Sequence, residues 1–138
     1  MAGWRWLRLD LSTMNFELIP SRRRDIASFL NERVPDFVRS AEYRSHNGDA
    51  DDLPGVLMAS FAHFLARLSR STPPQPSLQG GLDIVSTMLD WEDREVSETI
   101  EDEFFVALES DPRTIRALLP LMKPELRNRF EQWRQRPN

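Results

Sequence analysis

Residues 53–70 read LPGVLMASFAHFLARLSR and carry the clearest helical pattern in the chain. The large hydrophobic residues recur three and four positions apart, which is the spacing of one helical face; they are Leu53, Leu57, Phe61, Phe64, Leu65 and Leu68. Pro54 is compatible with the first turn of a helix, where its missing N–H is not needed. The stretch therefore predicts a helix with a broad apolar stripe that other helices must cover.

Further helical patterns lie on both sides of this stretch. Upstream, a helix is predicted after Pro20, with Ser21 as its N-cap and Pro35 at its end or at a kink. Downstream, the proline-rich sequence STPPQPS at 71–77 predicts a connector. Beyond it, helices are predicted over 78–91, 93–109 and 112–122, the last with Asp111 as its N-cap, and from Pro124 through Trp133.

These segments predict an all-α fold of five to seven helices, arranged as a compact bundle or as a short HEAT-like helical stack. A chain of 138 residues fits a single domain, 1–138. Residues 1–20 differ from the rest because WRWLRLDL intersperses apolar with charged residues. We expect this N-terminal extension to be extended and strand-like, or irregular.

The composition argues against several classes of protein. The hydrophobic content of 40% is that of a globular protein, and the absence of cysteine removes disulfide scaffolds, thiolate metal sites and cysteine nucleophiles. No window approaches the roughly 18 consecutive apolar residues of a membrane span. The two histidines, His46 and His63, lack ligand spacing, and no nucleophile-elbow or phosphate-loop motif occurs. We therefore expect a cytoplasmic protein that is not an enzyme and holds no cofactor.

Charge is distributed unevenly along the chain. Residues 90–111 read DWEDREVSETIEDEFFVALESD and hold ten acidic residues and one arginine, a net charge of −9. Residues 113–138 hold seven basic and two acidic residues, a net charge of +5. Such a polarised field steers association with a charged partner. Nucleic acid is not the expected partner, because the whole chain carries a net charge of −4.

The acidic segment is amphipathic when 93–109 is projected on a helical wheel at about 100° per residue. One interpretation is a solvated helix exterior. The other is a partner-binding surface, since an aromatic side chain within a charged rim is typical of an interface hot spot. Cover of the aromatic residue by a neighbouring helix or by the N-terminal segment is the alternative. The predicted partner-binding residues are Glu98, Glu101, Asp102 and Glu109 on the outer side, Glu95 at its flank, and Phe105 in their middle.

Two further hypotheses concern carboxylates. The wheel places Glu103 near the apolar side, so we expect an arginine from another helix to pair with it, or the helix to rotate and expose it. Acidic residues at 98 and 102, or at 49, 51 and 52, have the oxygen chemistry of a divalent metal site. The second group lacks the spacing and the closing glutamate of a calcium loop. We expect no metal site.

Three segments together resemble an uncharacterised family of small all-helical bacterial proteins. They are LPGVLMASFAHFLARL (53–68), LDIVSTMLDWEDREVSETIEDEFFVALES (82–110) and RALLPLMKPELRNRFEQW (116–133). The resemblance covers about residues 22–134 and is carried by Leu53, Pro54, Phe61, Ala62, Phe64, Leu65, Glu95, Val96, Leu108, Leu118, Leu119 and Pro124. Most of these are core positions, and WRWLRLDL is not part of the pattern.

Members of that family look like immunity proteins encoded beside secreted toxins of polymorphic, contact-dependent or type VI systems. The resemblance therefore implies a protein that neutralises a cognate toxin by direct binding, and it implies no catalytic residues. An acidic helix with an aromatic anchor would fit the basic cleft of a toxin that acts on nucleic acids or nucleotides. A helical adaptor that binds another cytoplasmic protein is the alternative hypothesis.

Overall fold

The computed structural model describes residues 4–10, 15–45, 53–73 and 75–137. At the N-terminus, strand β1 (Trp4–Asp10) pairs antiparallel with strand β2 (Asn15–Pro20) in a two-stranded sheet. Leu7 lies opposite Leu18, and Asp10 lies opposite Asn15. Of the two alternatives for residues 1–20, the extended form is observed in these two strands, which we call the β1–β2 hairpin, while residues 1–3 and 11–14 lie outside the described residues.

Short helices follow the hairpin. A 3₁₀ turn (Arg23–Asp25) leads into α1 (Ile26–Arg33), which is followed by α2 (Pro35–Val38) and α3 (Ala41–Arg44). The prediction of Ser21 as the N-cap is wrong, because Arg22 precedes the 3₁₀ turn and Asp25 is the N-cap of α1. The hydroxyl of Ser21 instead accepts a hydrogen bond from the backbone N–H of Arg23 at 3.1 Å. Pro35 occupies the first turn of α2, so α1 ends before it, as predicted.

Two longer helices come next, α4 (Pro54–Ser69) and α5 (Pro76–Leu89). They confirm the helices predicted over 53–70 and 78–91, although α5 begins earlier because Pro76 serves as a first-turn proline. Gly81 permits their close approach: a Cβ atom there would lie 2.6 Å from Leu65 Cδ2.

The helix predicted over 93–109 is one continuous helical run with a change of winding. It comprises α6 (Arg94–Thr99), a π segment (Ile100–Phe105) and α7 (Val106–Glu109). The last helices are α8 (Pro112–Leu118), which continues into a 3₁₀ turn (Leu119–Leu121), and α9 (Pro124–Arg134). Asp111 is the N-cap of α8, as predicted, and accepts the N–H of Arg113 at 3.0 Å.

Helix α4 lies at the centre of the fold and contacts α1, α3, α5, α6, the π segment, α7 and α8. Its predicted apolar stripe is buried except at Leu53, which is 50% exposed because it precedes the first turn. The prediction of an all-α fold is confirmed, and the arrangement is a bundle around α4. Among the described residues, no helix combines the length and the apolar composition needed to cross a membrane.

Candidate functional site

The start of α6 is fixed by one buried carboxylate, that of Asp93, which is 0% exposed. As the N-cap of α6, Asp93 accepts a hydrogen bond from the backbone N–H of Val96 at 3.2 Å. The same carboxylate accepts one from the hydroxyl of Ser21 at 3.1 Å and another from the backbone N–H of Arg22. Asp93 thereby holds the segment that leaves the hairpin against α6.

Arg23, on this segment, reaches α6 with its side chain. Its Nε donates a hydrogen bond to Thr99 Oγ1 at 3.1 Å, and that hydroxyl in turn donates to the carbonyl oxygen of Glu95 at 2.8 Å. Thr99 is buried while Arg23 is exposed. The guanidinium group is consequently placed beside the acidic residues of α6 and the π segment.

A cleft of about 220 Å³ opens at this point, and we call it the Asp102 cleft. Four acidic residues and one basic residue line it, together with a glycine and a threonine; the lining residues are Arg23, Gly55, Glu95, Glu98, Thr99, Asp102 and Glu103. Glu98 and Asp102 are exposed, and Glu95 and Glu103 are partly buried. Carboxylates at this density attract cationic groups and repel anionic ones.

Glu103 reaches the cleft by packing against the first turn of α4. A Cβ atom on Gly55 would lie 3.1 Å from Glu103 Oε1, so the glycine provides the space that this carboxylate occupies. The N-terminus of a helix favours negative charge. The predicted ion pair is wrong for the described residues, where no arginine pairs with Glu103.

Phe105, predicted as an exposed anchor among the carboxylates, is buried and 0% exposed. Its ring packs against Phe130 and Trp133 of α9, with centroid distances of 5.1 and 5.6 Å. The alternative in which a neighbouring helix covers Phe105 is therefore the one observed. As an exposed anchor residue, the prediction for Phe105 is wrong.

The π segment is the physical reason for this error. A turn closed by i→i+5 hydrogen bonds holds about one residue more than an α turn. Each residue after the π segment therefore occupies the direction that the preceding residue would have in a regular α-helix. Phe105 consequently turns into the core, and Val106, which is 50% exposed, takes the outward position. The spacing of Val96, Ile100, Phe104 and Leu108 is uniformly four residues, wider than the 3.6 of an α-helix, and is a sequence signal of this slower winding.

Glu101 was also predicted on the outer face, and this too is wrong. It is 6% exposed, and its carboxylate accepts hydrogen bonds from Arg129 and Arg136 of the C-terminal region. Burial of a carboxylate requires such partners. Glu101 belongs to the internal structure and not to the surface of the Asp102 cleft.

The remaining predicted residues separate into two groups. Glu95, Glu98 and Asp102 line the Asp102 cleft, and Glu98 also pairs with Arg94 at 3.0 Å. Glu109 is exposed but does not line the cleft. Sequence reasoning missed Arg23 and Gly55, because their approach to the acidic helix depends on tertiary packing that no local pattern shows. It considered Glu103 only as a residue near the apolar side, and not as part of a cleft.

The metal hypotheses concern two groups of carboxylates. Residues 49, 51 and 52, like His46, lie outside the described residues. Among the residues that are described, no group of three or more histidine, aspartate and glutamate side chains is arranged to hold a metal ion.

Comparison with known proteins identifies a family for this chain. A protein-family model, described as a domain of unknown function (DUF7674), matches residues 27–136. The matched range contains the lining residues of the Asp102 cleft apart from Arg23, and the β1–β2 hairpin precedes it. No curated protein and no solved structure matches the chain significantly. Because the match spans most of the sequence, the chain belongs to the DUF7674 family.

Proposed function

We propose that this protein is an immunity protein that binds a cognate antibacterial toxin directly and neutralises it, with the Asp102 cleft as the contact surface. The class of partner comes from the sequence resemblance to immunity proteins. The observation that carries the choice of surface is the lining of the cleft, where four carboxylates accompany one arginine. The expected partner surface is therefore basic.

The electrostatics support binding to a basic toxin domain. A concave surface of one charge raises the rate of encounter with an oppositely charged partner. The affinity then depends mainly on the dissociation rate, which is set by how well the contact is packed and desolvated. A toxin that acts on nucleic acids or nucleotides has a basic cleft of its own, and contact there would block its substrate.

A helical adaptor is the second candidate, because the charge of the cleft selects a basic protein surface without selecting a toxin. The two functions differ in their consequence for the cell. An immunity protein must restore growth when the toxin is expressed, whereas an adaptor is not required to affect growth.

The test is co-expression with the product of the adjacent gene, followed by purification at physiological salt and a growth assay. A stable complex together with rescue from toxicity is the expected result. A complex without toxicity or rescue would favour the adaptor. Neither complex nor rescue would overturn the proposal of toxin neutralisation.

Matched variants assign the surface in the same assay. Glu98→Lys with Asp102→Lys reverses two charges at the cleft, and Glu32→Lys with Glu125→Lys makes the same change of net charge at two exposed residues elsewhere. The first pair should abolish rescue, and the second should preserve it. Rescue by both would show that the toxin binds another surface.

A further inference from the structure

Two large hydrophobic side chains are exposed in the part of the chain that the structure describes, and each stands within three residues, along the sequence, of a residue that lines the Asp102 cleft. Leu53 and Val106 are each 50% exposed. They belong to different elements, since Leu53 precedes the first turn of α4 and Val106 begins α7.

The contact between Gly55 and Glu103 relates these two residues to the cleft. Leu53 stands two residues before Gly55, and Val106 stands three residues after Glu103, which is a neighbouring position on a helix. Gly55 and Glu103 both line the cleft. The carboxylates are thus accompanied by an apolar residue from each of the two elements that meet there.

We propose that the Asp102 cleft receives a single arginine or lysine side chain of the partner protein, and that apolar residues adjacent to it on the partner cover Leu53 and Val106. The charge of the cleft selects the cation, and the two hydrophobic residues select its neighbours. The volume of about 220 Å³ lies below the roughly 300–1,000 Å³ of pockets for drug-sized ligands. That size suits one long side chain. This inference rests on the proposed function for its class of partner.

Arg23 has a defined part in this arrangement. Its guanidinium already lies at the cleft, held by the hydrogen bond from Nε to Thr99. An incoming cation is repelled by it, because both groups carry a positive charge. Removal of Arg23 should therefore strengthen binding several-fold, whereas a purely structural role would predict weaker binding.

The test uses a defined peptide and does not require the toxin. The probe is the blocked peptide acetyl-Leu-Arg-Leu-amide, titrated into the ¹⁵N-labelled full chain and followed by chemical-shift changes. Two control peptides replace the arginine with neutral citrulline or both leucines with glycine. We expect saturable shifts centred on the backbone of Gly55, Thr99, Asp102 and Val106, with several-fold weaker binding of both control peptides.

Protein variants complete the experiment. Glu98→Gln with Asp102→Asn should abolish the saturable shifts, while Glu32→Gln with Glu125→Gln should leave them unchanged. Leu53→Ser with Val106→Ser should weaken binding of the peptide that carries leucines and leave binding of the peptide that carries glycines unchanged. Four results would overturn the inference. They are citrulline-peptide binding as tight as that of the arginine peptide, chemical-shift changes elsewhere on the protein, the absence of saturable shifts, and weaker peptide binding after Arg23→Ala. Growth rescue is scored independently, so failure here is distinguishable from failure of toxin neutralisation.

Discussion

The guanidinium group of Arg136 donates two hydrogen bonds, each 2.9 Å long, to the carboxylate of Glu101. Arg129 donates a third at 3.2 Å, and the Glu101 side chain is only 7% exposed. The hydrogen bond to Glu101 raises the pKa of Arg136. The C-terminal residues are thereby fastened to the π segment on which Phe105 also lies.

This pairing predicts non-additive mutational effects. Arg129→Ala and Arg136→Ala each leave Glu101 with one cation, whereas the double variant leaves a buried carboxylate with none. The double variant should therefore lose more stability in urea unfolding than the two single variants together, because an unpaired buried charge is strongly destabilising. Glu101→Gln in that background should restore part of the loss. Additive effects without restoration would contradict this account of Glu101.

The π segment predicts different effects of alanine substitution at the adjacent residues Phe105 and Val106. Phe105→Ala removes a fully buried ring and should lower the free energy of unfolding by about 3–5 kcal/mol. Val106→Ala should change it by no more than about 0.5 kcal/mol, because that side chain is half-exposed. Chemical denaturation of both variants measures the difference. A reversed order would show that the helix keeps regular α winding.

The neighbouring glycines of α5 should respond to alanine with opposite signs. Nothing lies within 4 Å of a Cβ atom on Gly80, so Gly80→Ala should gain about 0.5–1 kcal/mol of stability from helix propensity. A Cβ atom on Gly81 would meet Leu65 Cδ2 at 2.6 Å, inside the core. Gly81→Ala should therefore lower the free energy of unfolding by about 1–3 kcal/mol, because the added methyl group overpacks the core. Thermal unfolding of both variants measures these two changes in stability. Equal effects of the two substitutions would contradict the close packing of α4 and α5.

The pair of Glu42 and Arg67 predicts a pH dependence. Burial raises the pKa of Glu42, but the hydrogen bonds from Arg67, at 2.8 and 3.2 Å, and the charge of Arg67 outweigh it, so the pKa of Glu42 is lowered overall. A lowered pKa means that the pair stabilises the fold above the ordinary carboxyl range, and that this stabilisation is lost as the pH falls through the folded-state pKa.

Glu42→Gln should therefore destabilise the protein near pH 7, by at most about 1 kcal/mol because Arg67 is half-exposed. This loss of stability should disappear in acid, because the protonated native glutamate is then uncharged, like the glutamine of the variant. Urea unfolding of both proteins across the pH range checks this, with Glu32→Gln as a control at an exposed residue. A deficit that is constant with pH would contradict the role of the ion pair.

The sequence was sufficient for the features that local chemistry determines. Asp111 before Pro112 marks the start of α8, and the apolar stripe of α4 marks its buried face, because caps and periodicity act within a few residues. The site was less predictable. The helical wheel assumes a constant α winding, and the π segment therefore explains why it placed Phe105 wrongly. The burial of Glu101 depends on Arg129 and Arg136, which come from a distant part of the chain. The approach of Gly55 and Arg23 to the acidic helix depends on contacts between distant parts of the chain.

The contact surface is tested most directly by the affinity of the toxin for two matched variants. Glu98→Gln with Asp102→Asn removes two charges from the Asp102 cleft, and Glu32→Gln with Glu125→Gln removes two charges elsewhere on the surface. Association and dissociation rates are measured at low and at physiological salt. The account predicts a slower association, a weaker salt dependence and an affinity loss of at least about tenfold for the first variant alone. Unchanged affinity of that variant at physiological salt would contradict the assignment of the Asp102 cleft.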